Sequence, residues 1–193
     1  MNAVTIDEAW PGFGSPFTVA EQDRMPDDGH RYELLDGVLV VSPRPTTVHQ
    51  AVAVQHAGRL ASMLAGQCPE DLLVVPEPAV QLDARTEFAS DLVVVPLDEV
   101  GDAKFMTPPL LVVEIRSPST ALFDLNRKKA AYEKFGVPSY WIVNPDPARP
   151  EITVFELRDG SYVTEATSTQ AVTVTRPFPV TVSPAQLTKG LLR

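Results

Sequence analysis

Two apolar runs, each next to an acidic residue, constrain this chain more than any other feature. Leu92–Val95 is uninterrupted apolar sequence that directly follows Asp91, and Leu110–Val113 is equally apolar and leads directly into Glu114. Continuous apolar strands of this kind are typically covered on both faces. A carboxylate beside such a layer loses hydration unless it is paired, hydrogen-bonded or bound to a cation. The runs therefore predict a layered α/β structure that places two energetically costly acids at neighbouring strand ends.

The remaining pattern predicts turns, helices and further strands around these runs. Thr18 and Glu21 form a capping box for a short helix, and Asp36-Gly37 suits the tight turn of a hairpin over residues 31–41. A helix is predicted from Thr47 to about Gly66. A second helix, Ala121–Phe135, follows a cap at Ser119 or Thr120 and ends before Gly136 and Pro138. Further strands are predicted at Leu72–Pro76, Ala79–Leu82, Asp91–Val95, Leu110–Ile115, Tyr140–Val143, Val172–Val174 and in a second hairpin, Ile152–Leu157 with Tyr162–Thr167.

The order hairpin, helix, strands, helix, strands predicts an α/β fold of the mixed α+β kind. Its mixed β-sheet is flanked by helices and carries N-terminal and C-terminal β-hairpins. One domain is predicted over residues 1–193, a length sufficient to bury a core, with an irregular N-terminal arm at 1–17 and the folded part at 18–187.

Charge and cysteine content limit the functional classes. A net charge of −9 argues against a protein that coats nucleic acid through bulk electrostatics, although it permits an enzyme whose cationic groups are local. Cys68 is the only cysteine, so an internal disulfide is excluded. No apolar run approaches the roughly 20 residues of a membrane span, and the first residues lack an export signal. These observations predict a cytoplasmic protein without a membrane association.

The segment after Glu114 carries further polar side chains at helical spacing. Asp124, Lys128 and Tyr132 are spaced i, i+4, i+8 and share one helix face, which can lean over the end of the Glu114 strand. Two acids at neighbouring strand ends form a hard oxygen site suited to Mg²⁺ or Mn²⁺. The alternatives are that each acid caps a strand or pairs with an arginine, and that Lys128 forms a solvated surface pair with Asp124.

Six segments together resemble the bacterial "putative restriction endonuclease" family within the PD-(D/E)XK nuclease superfamily. The resemblance covers roughly residues 18–187, and the string from Glu114 to Pro145 is its most specific part. The segments are Arg31-Tyr-Glu-Leu-Leu-Asp-Gly, Pro43-x-Pro with His49-Gln50, Asp91-Leu-Val-Val-Val, Leu111-Val-Val-Glu-Ile-x-Ser-Pro-Ser-Thr, Asp124-x3-Lys128-x3-Tyr132 and Gly136-Val-Pro-Ser-Tyr-Trp-Ile-Val-Asn-Pro.

The resemblance implies a restriction-endonuclease-like fold and Mg²⁺-dependent hydrolysis of DNA phosphodiester bonds, with Mn²⁺ as a substitute ion. Asp91 matches the motif aspartate and Glu114 the second acid, and these two would bind the metal together with the backbone carbonyl of Ile115. Lys128 matches the catalytic lysine, moved in this family from the strand to the following helix. Glu33 matches the acid from the N-terminal part; it would be a further metal ligand, fix Lys128, or act only as a cross-strand partner in its hairpin.

The sequence departs from the family pattern at two positions. Ser90 stands where the superfamily pattern has proline. Arg116 stands at the strand position of the ordinary motif lysine, where it would contact a substrate phosphate or pair with Glu114 and damp metal binding. Since arginine stays protonated, it cannot act as the base. The other candidate substrate contacts are His49 and Tyr132.

Several alternatives stay open. Glu77 is a reserve metal ligand, and Asp83 and Glu87 are interpreted as solvated. A homodimer is predicted, because cutting two strands uses two sites. The second functional hypothesis is a binding or partner module with a weak or inactive nuclease site, which the charge and Arg116 favour. A third hypothesis, a small-molecule metal hydrolase, predicts a closed pocket.

Overall fold

A computed structural model describes residues 15–42, 47–101, 104–116 and 122–188, with the side chains of 47–51 and 122–125 excepted. The helices are α1 (Val19–Gln22), α2 (Thr47–Ala65), α3 (Leu122–Phe135) and α4 (Pro184–Thr188), with a 3₁₀ turn at Leu97–Glu99. The strands are β1 (Arg31–Leu35), β2 (Val38–Ser42), β3 (Leu72–Pro76), β4 (Ala79–Asp83), β5 (Thr86–Ala89), β6 (Leu92–Pro96), β7 (Lys104–Phe105), β8 (Leu111–Ile115), β9 (Ser139–Asn144), β10 (Glu151–Arg158), β11 (Ser161–Ser168), β12 (Val172–Val174) and β13 (Val180–Val182).

The two apolar runs pair with each other at the centre of a six-stranded sheet. Its strand order is β11-β10-β9-β8-β6-β3, and Leu92 of β6 pairs with Val113 of β8. Strands β8 and β9 are parallel and joined through α3, whereas the other neighbours are antiparallel. The sheet is therefore mixed, as the sequence predicts.

Alternate residues of this sheet contribute to two separate cores, so both faces are covered. On one face, Leu92 and Trp141 pack with Leu60 and Leu64 of α2. The opposite face carries the second cluster, in which the side chains of α3 pack against the sheet and β4–β5: Val80, Phe88, Val93, Val95, Val112, Tyr132 and Tyr140. The prediction from the continuous apolar runs is confirmed, because Val93, Val94, Val112 and Val113 all have no exposed surface.

The strands do not all lie in one sheet. A five-stranded sheet has the order β2-β1-β5-β4-β7, and β12 pairs with β13 in a small separate sheet. The chain leaves the five-stranded sheet at the end of β5 and enters the six-stranded sheet at the start of β6, with only Ser90 and Asp91 between them. This crossing places Asp91 where the two sheets meet.

The predicted turn at Asp36-Gly37 and the predicted capping box of Thr18 and Glu21 are confirmed. Asp36 and Gly37 have positive φ angles of 49° and 79°, which a tight hairpin turn requires. The Glu21 carboxylate accepts hydrogen bonds from the Thr18 backbone N–H at 2.7 Å and from the Thr18 hydroxyl at 2.8 Å. The predicted caps Ser119 and Thr120 lie outside the described residues. Within the described residues, no helix combines the length and apolar character needed to cross a membrane.

Three strands, the short helix α4 and one charged residue are among the differences from the predictions. Strands β5, β7 and β13, of two to four residues each, were not predicted. The interpretation of Glu87 as solvated is wrong. Glu87 is buried, lying 2.7 Å from Lys104 and accepting a hydrogen bond from Gln22 at 3.3 Å.

Candidate active site

Asp91, directly before β6, lies beside Glu114 of the neighbouring strand β8. Leu92 pairs with Val113 in the antiparallel ladder, so Asp91, one residue before, lies opposite Glu114, one residue after. The Asp91 Oδ2 atom accepts a hydrogen bond of 2.6 Å from the backbone N–H of Ile115. The side chain of Asp91 is 24% exposed and that of Glu114 only 5%. The structure thus brings the two predicted acids together at the edge of the buried layer.

Lys128 connects the two sheets at this position. Its Nζ atom lies 2.8 Å from Oε1 of Glu33, which belongs to β1, and 3.4 Å from Oε2 of Glu114. The side chain of Lys128 is 5% exposed. The alternative that Lys128 forms a solvated surface pair with Asp124 is therefore excluded. α3 places the lysine over the end of the Glu114 strand, as the helical spacing predicts.

Glu33 accepts most of the hydrogen bonds around the lysine. Its Oε1 atom accepts three donors: Lys128 Nζ at 2.8 Å, the Ala89 backbone N–H at 3.1 Å and Arg31 Nη2 at 3.2 Å. A carboxylate oxygen with three donors is satisfied without a metal ion. The interpretation of Glu33 as a cross-strand partner within its hairpin is wrong, since among the described residues its side-chain partners lie in β1 itself, at the end of β5 and in α3.

Arg31 is a member of this cluster that the sequence reasoning missed. Its Nη1 atom lies 4.0 Å from Oδ1 of Asp91, and its Nη2 atom contacts Glu33. The signal was present in the sequence, because residues two apart on a strand share one face, and Arg31 precedes Glu33 by two positions. Without knowledge that β1 borders Asp91, that spacing indicates only a same-face pair.

Burial dominates the protonation of the site. It raises the pKa of Glu114 to about 7, although Lys128 acts in the opposite direction. Burial also raises the pKa of Asp91, against the hydrogen bond from Ile115 and the charge of Arg31. Burial lowers the pKa of Lys128, but the charges of Glu114 and Glu33 outweigh it and hold that pKa above its ordinary value. Lys128 is therefore a permanent cation at neutral pH.

One buried carboxylate oxygen of the site lacks a hydrogen-bond partner. The Oε1 atom of Glu114 is buried and has no hydrogen-bond partner, an arrangement that is costly for a carboxylate. Among the described residues, no group of three or more His, Cys, Asp or Glu side chains is arranged to hold a metal ion. A metal here would therefore use Asp91, Glu114, the main-chain carbonyl of Ile115 and water. Such all-oxygen ligands fit Mg²⁺ or Mn²⁺.

The remaining predicted residues occupy less direct positions. Tyr132 is fully buried, and its hydroxyl lies 2.6 Å from Oγ of Ser90, so it does not reach the surface. Arg116 is half-buried, and among the described residues it forms no ion pair with Glu114. Glu77 is exposed, and its backbone N–H donates to the Asp91 carbonyl at 3.0 Å. His49 lies in α2, and its side chain is outside the described residues.

Comparisons with known proteins identify the family and the fold of this chain. A family model described as "Uma2: Putative restriction endonuclease" matches residues 19–188. The crystal structure of a "putative nuclease belonging to DUF820" from Anabaena variabilis is similar, with a TM-score of 0.70 and 18% sequence identity. That similarity covers 92% of this chain and 100% of the other, and at this identity it confirms the predicted fold. No curated protein sequence matches this chain.

Proposed function

The chain belongs to the Uma2 family, described as "putative restriction endonuclease", and from this membership we propose that it is a metal-dependent endonuclease acting on DNA. The single observation that carries the metal dependence is the buried Oε1 atom of Glu114, which lacks a hydrogen-bond partner at the junction with Asp91. Mg²⁺ is the proposed ion, with Mn²⁺ as a substitute. The proposed ligands are Asp91, Glu114 and the carbonyl of Ile115.

The proposed ion would polarise the phosphodiester and lower the pKa of a bound water. Asp91 orients toward this position because the Ile115 N–H fixes its Oδ2 atom, which leaves the Oδ1 atom for a ligand. Glu114, whose pKa is raised to about 7, would have to lose its proton to become a ligand. Metal affinity would therefore increase as the pH rises toward neutrality.

Lys128 is proposed as a donor and not as a base. An ammonium group has three N–H donors, and two of them face Glu33 and Glu114. The third would orient an attacking water or stabilise charge on the phosphate through the small part of the side chain, 5%, that remains exposed. Because the pKa of Lys128 is raised, the lysine keeps its proton during the reaction.

Glu33 is proposed as the positioning residue for Lys128. Its Oε1 atom already accepts three donors, among them Lys128 and Arg31, so this oxygen holds the two cations in place without a metal ion. The hydrogen-bond pattern supports one ion held by Asp91 and Glu114, with Glu33 fixing the lysine from the neighbouring sheet. Glu77 is not needed as a ligand in this arrangement.

A second candidate function is a binding or partner module that keeps the fold without catalysis. The net charge of −9 favours it, since nucleic-acid binding relies on Lys and Arg.

A homodimer is also proposed, because two sites are needed for cutting both strands. Sedimentation of the purified protein at micromolar concentration tests this; a monomer at all concentrations would refute the dimer.

The decisive experiment measures cleavage of supercoiled plasmid, single-stranded DNA and single-stranded RNA with Mg²⁺, Mn²⁺ or EDTA. Asp91→Ala removes a proposed ligand, and Asp98→Ala, at an exposed position, is the matched control. We expect cleavage that needs metal, disappears with Asp91→Ala and persists with Asp98→Ala. If folded wild-type protein with saturating metal cuts none of these substrates, the partner module replaces the nuclease. Cleavage of RNA alone would support the proposed active site but identify RNA as the substrate in place of DNA.

A further inference from the structure

The two cations of the site differ in their access to solvent. The side chain of Lys128 is 5% exposed, whereas that of Arg31 is 42% exposed. Lys128 is enclosed by Glu33, Glu114 and the ring of Phe88, whose centroid lies 5.3 Å from Nζ. Arg31 is therefore the cation of this cluster that a large ligand meets first.

The guanidinium of Arg31 is held in place but has unused donors. Nη2 lies 3.2 Å from Oε1 of Glu33, and Nη1 lies 4.0 Å from Oδ1 of Asp91. Among the described residues, the bond to Glu33 is the only side-chain hydrogen bond that Arg31 makes. A guanidinium has five N–H donors in a planar fork that matches a phosphate. Arg31 is thus preoriented by one acid and still able to bind a second anion.

The balance of charge gives Arg31 two opposite effects. Three acids (Glu33, Asp91 and Glu114) face two cations (Arg31 and Lys128), so the ionised cluster is net negative by one charge. A phosphodiester that approaches this cluster is repelled, and removing Arg31 would add to the repulsion. For a metal ion the effect is opposite. Arg31 lies 4.0 Å from the proposed ligand Asp91 and repels a cation there, so removing Arg31 would strengthen metal binding.

We propose that Arg31 binds a backbone phosphate of the nucleic acid next to Asp91, with Glu33 holding the guanidinium in position. This inference rests on the proposed function and adds the residue that recognises the substrate at the mouth of the site. It gives Glu33 a double role, since the same Oε1 atom fixes both the buried lysine and the exposed arginine. The phosphate contact supplies local positive charge in a chain whose overall charge is unfavourable.

The test compares wild type with Arg31→Met and Arg31→Lys. Arg149→Met is the matched control, because Arg149 is 76% exposed and also forms a pair with a nearby acid, Glu151 at 3.4 Å. Binding of a fluorescent DNA duplex is measured by anisotropy in Ca²⁺ over a range of NaCl concentrations. Mn²⁺ affinity without DNA is measured by calorimetry.

We expect Arg31→Met to weaken duplex binding about tenfold, the effect of losing one charged hydrogen-bonding group. The slope of log K against log[salt] should become shallower by about 0.9, the value for one lost phosphate contact. Arg31→Lys should restore the slope but not the full affinity, because it keeps the charge and loses the fork. Mn²⁺ should bind Arg31→Met more tightly than wild type, and Arg149→Met should match wild type in both measurements.

Three results would overturn the inference. One is an unchanged salt slope in Arg31→Met, and another is wild-type protein that does not bind the duplex. The third is weaker Mn²⁺ binding in Arg31→Met together with weaker DNA binding, which would show that Arg31 only supports the shape of the site. Wild-type protein that binds but never cuts DNA would contradict the proposed nuclease activity, while the salt slope would still decide the role of Arg31.

Discussion

Replacement of Glu114 by glutamine should make the protein more stable at alkaline pH while abolishing metal-dependent activity. Glutamine resembles the protonated acid in shape and does not titrate. Burial raises the pKa of Glu114 from an ordinary 4.5 to about 7 in the folded protein. Between these two values the folded state holds a proton that the unfolded state has released.

The sign of the effect follows from proton linkage. Because the folded state binds more protons in this interval, the free energy of unfolding falls as the pH rises from about 4.5 to about 7, and then levels off. This pKa difference corresponds to a loss of about 3 kcal/mol in the free energy of unfolding across the interval. Wild type and Glu114→Gln should therefore have similar stability near pH 4.5, and at pH 8.5 the variant should be more stable by up to about 3 kcal/mol.

Urea unfolding in EDTA measures this difference, because a bound cation would stabilise the charged carboxylate. Glu70→Gln is the matched control, since Glu70 is exposed in the turn after α2. It should follow wild type across the same pH range. A stability gap between wild type and Glu114→Gln that fails to widen toward alkaline pH would refute the reasoning from burial.

Three further substitutions test the surroundings of the site by urea unfolding. Lys128→Met leaves the Glu114 carboxylate without its buried counter-charge and should cost about 3–5 kcal/mol at pH 8; an unaffected stability would show that the cation is not needed. Tyr132→Phe leaves the buried Ser90 hydroxyl without its partner and should cost about 1–3 kcal/mol. Adding Ser90→Ala should recover part of that loss, and no recovery would contradict the pairing. Gly37→Ala places a side chain on a residue whose φ is 79° and brings the new Cβ within 2.5 Å of a neighbouring side-chain atom. This substitution should lower the free energy of unfolding by at least about 1–3 kcal/mol. Wild-type stability would contradict the strained turn.

The fold could be predicted where a local pattern determines the element. Asp36-Gly37 specifies a tight turn by itself, and the apolar run after Asp91 indicates a strand covered on both faces. Strand β5 has no comparable signal, because it is four residues long and contains Glu87. Glu87 is buried only because Gln22 and Lys104 contact it, and Gln22 lies 65 residues away in the sequence. The sequence predicted one mixed sheet because nothing local marks the two-residue crossing at Ser90 and Asp91.

The same distinction between local patterns and contacts distant in the sequence applies to the site. Asp91, Glu114 and Lys128 could be proposed from strand ends and helical spacing, and the structure brings them together. The position of Arg31 could not be derived, since it depends on the five-stranded sheet bordering the six-stranded one. Tyr132 lies on the predicted helix face, but the packing of Phe88 and Ser90 against it covers it completely. Spacing indicates the direction of a side chain, whereas its access to substrate depends on neighbours distant in the sequence.

The contact between Glu33 and Lys128 joins residues that are 95 positions apart. During translation Glu33 leaves the ribosome long before Lys128 exists, so the nascent chain carries an incomplete set of charges for most of its synthesis. A truncated product that stops before residue 128 would also lack the lysine. If the site acts as proposed, activity should therefore require a chain that extends past residue 128 of its 193 residues.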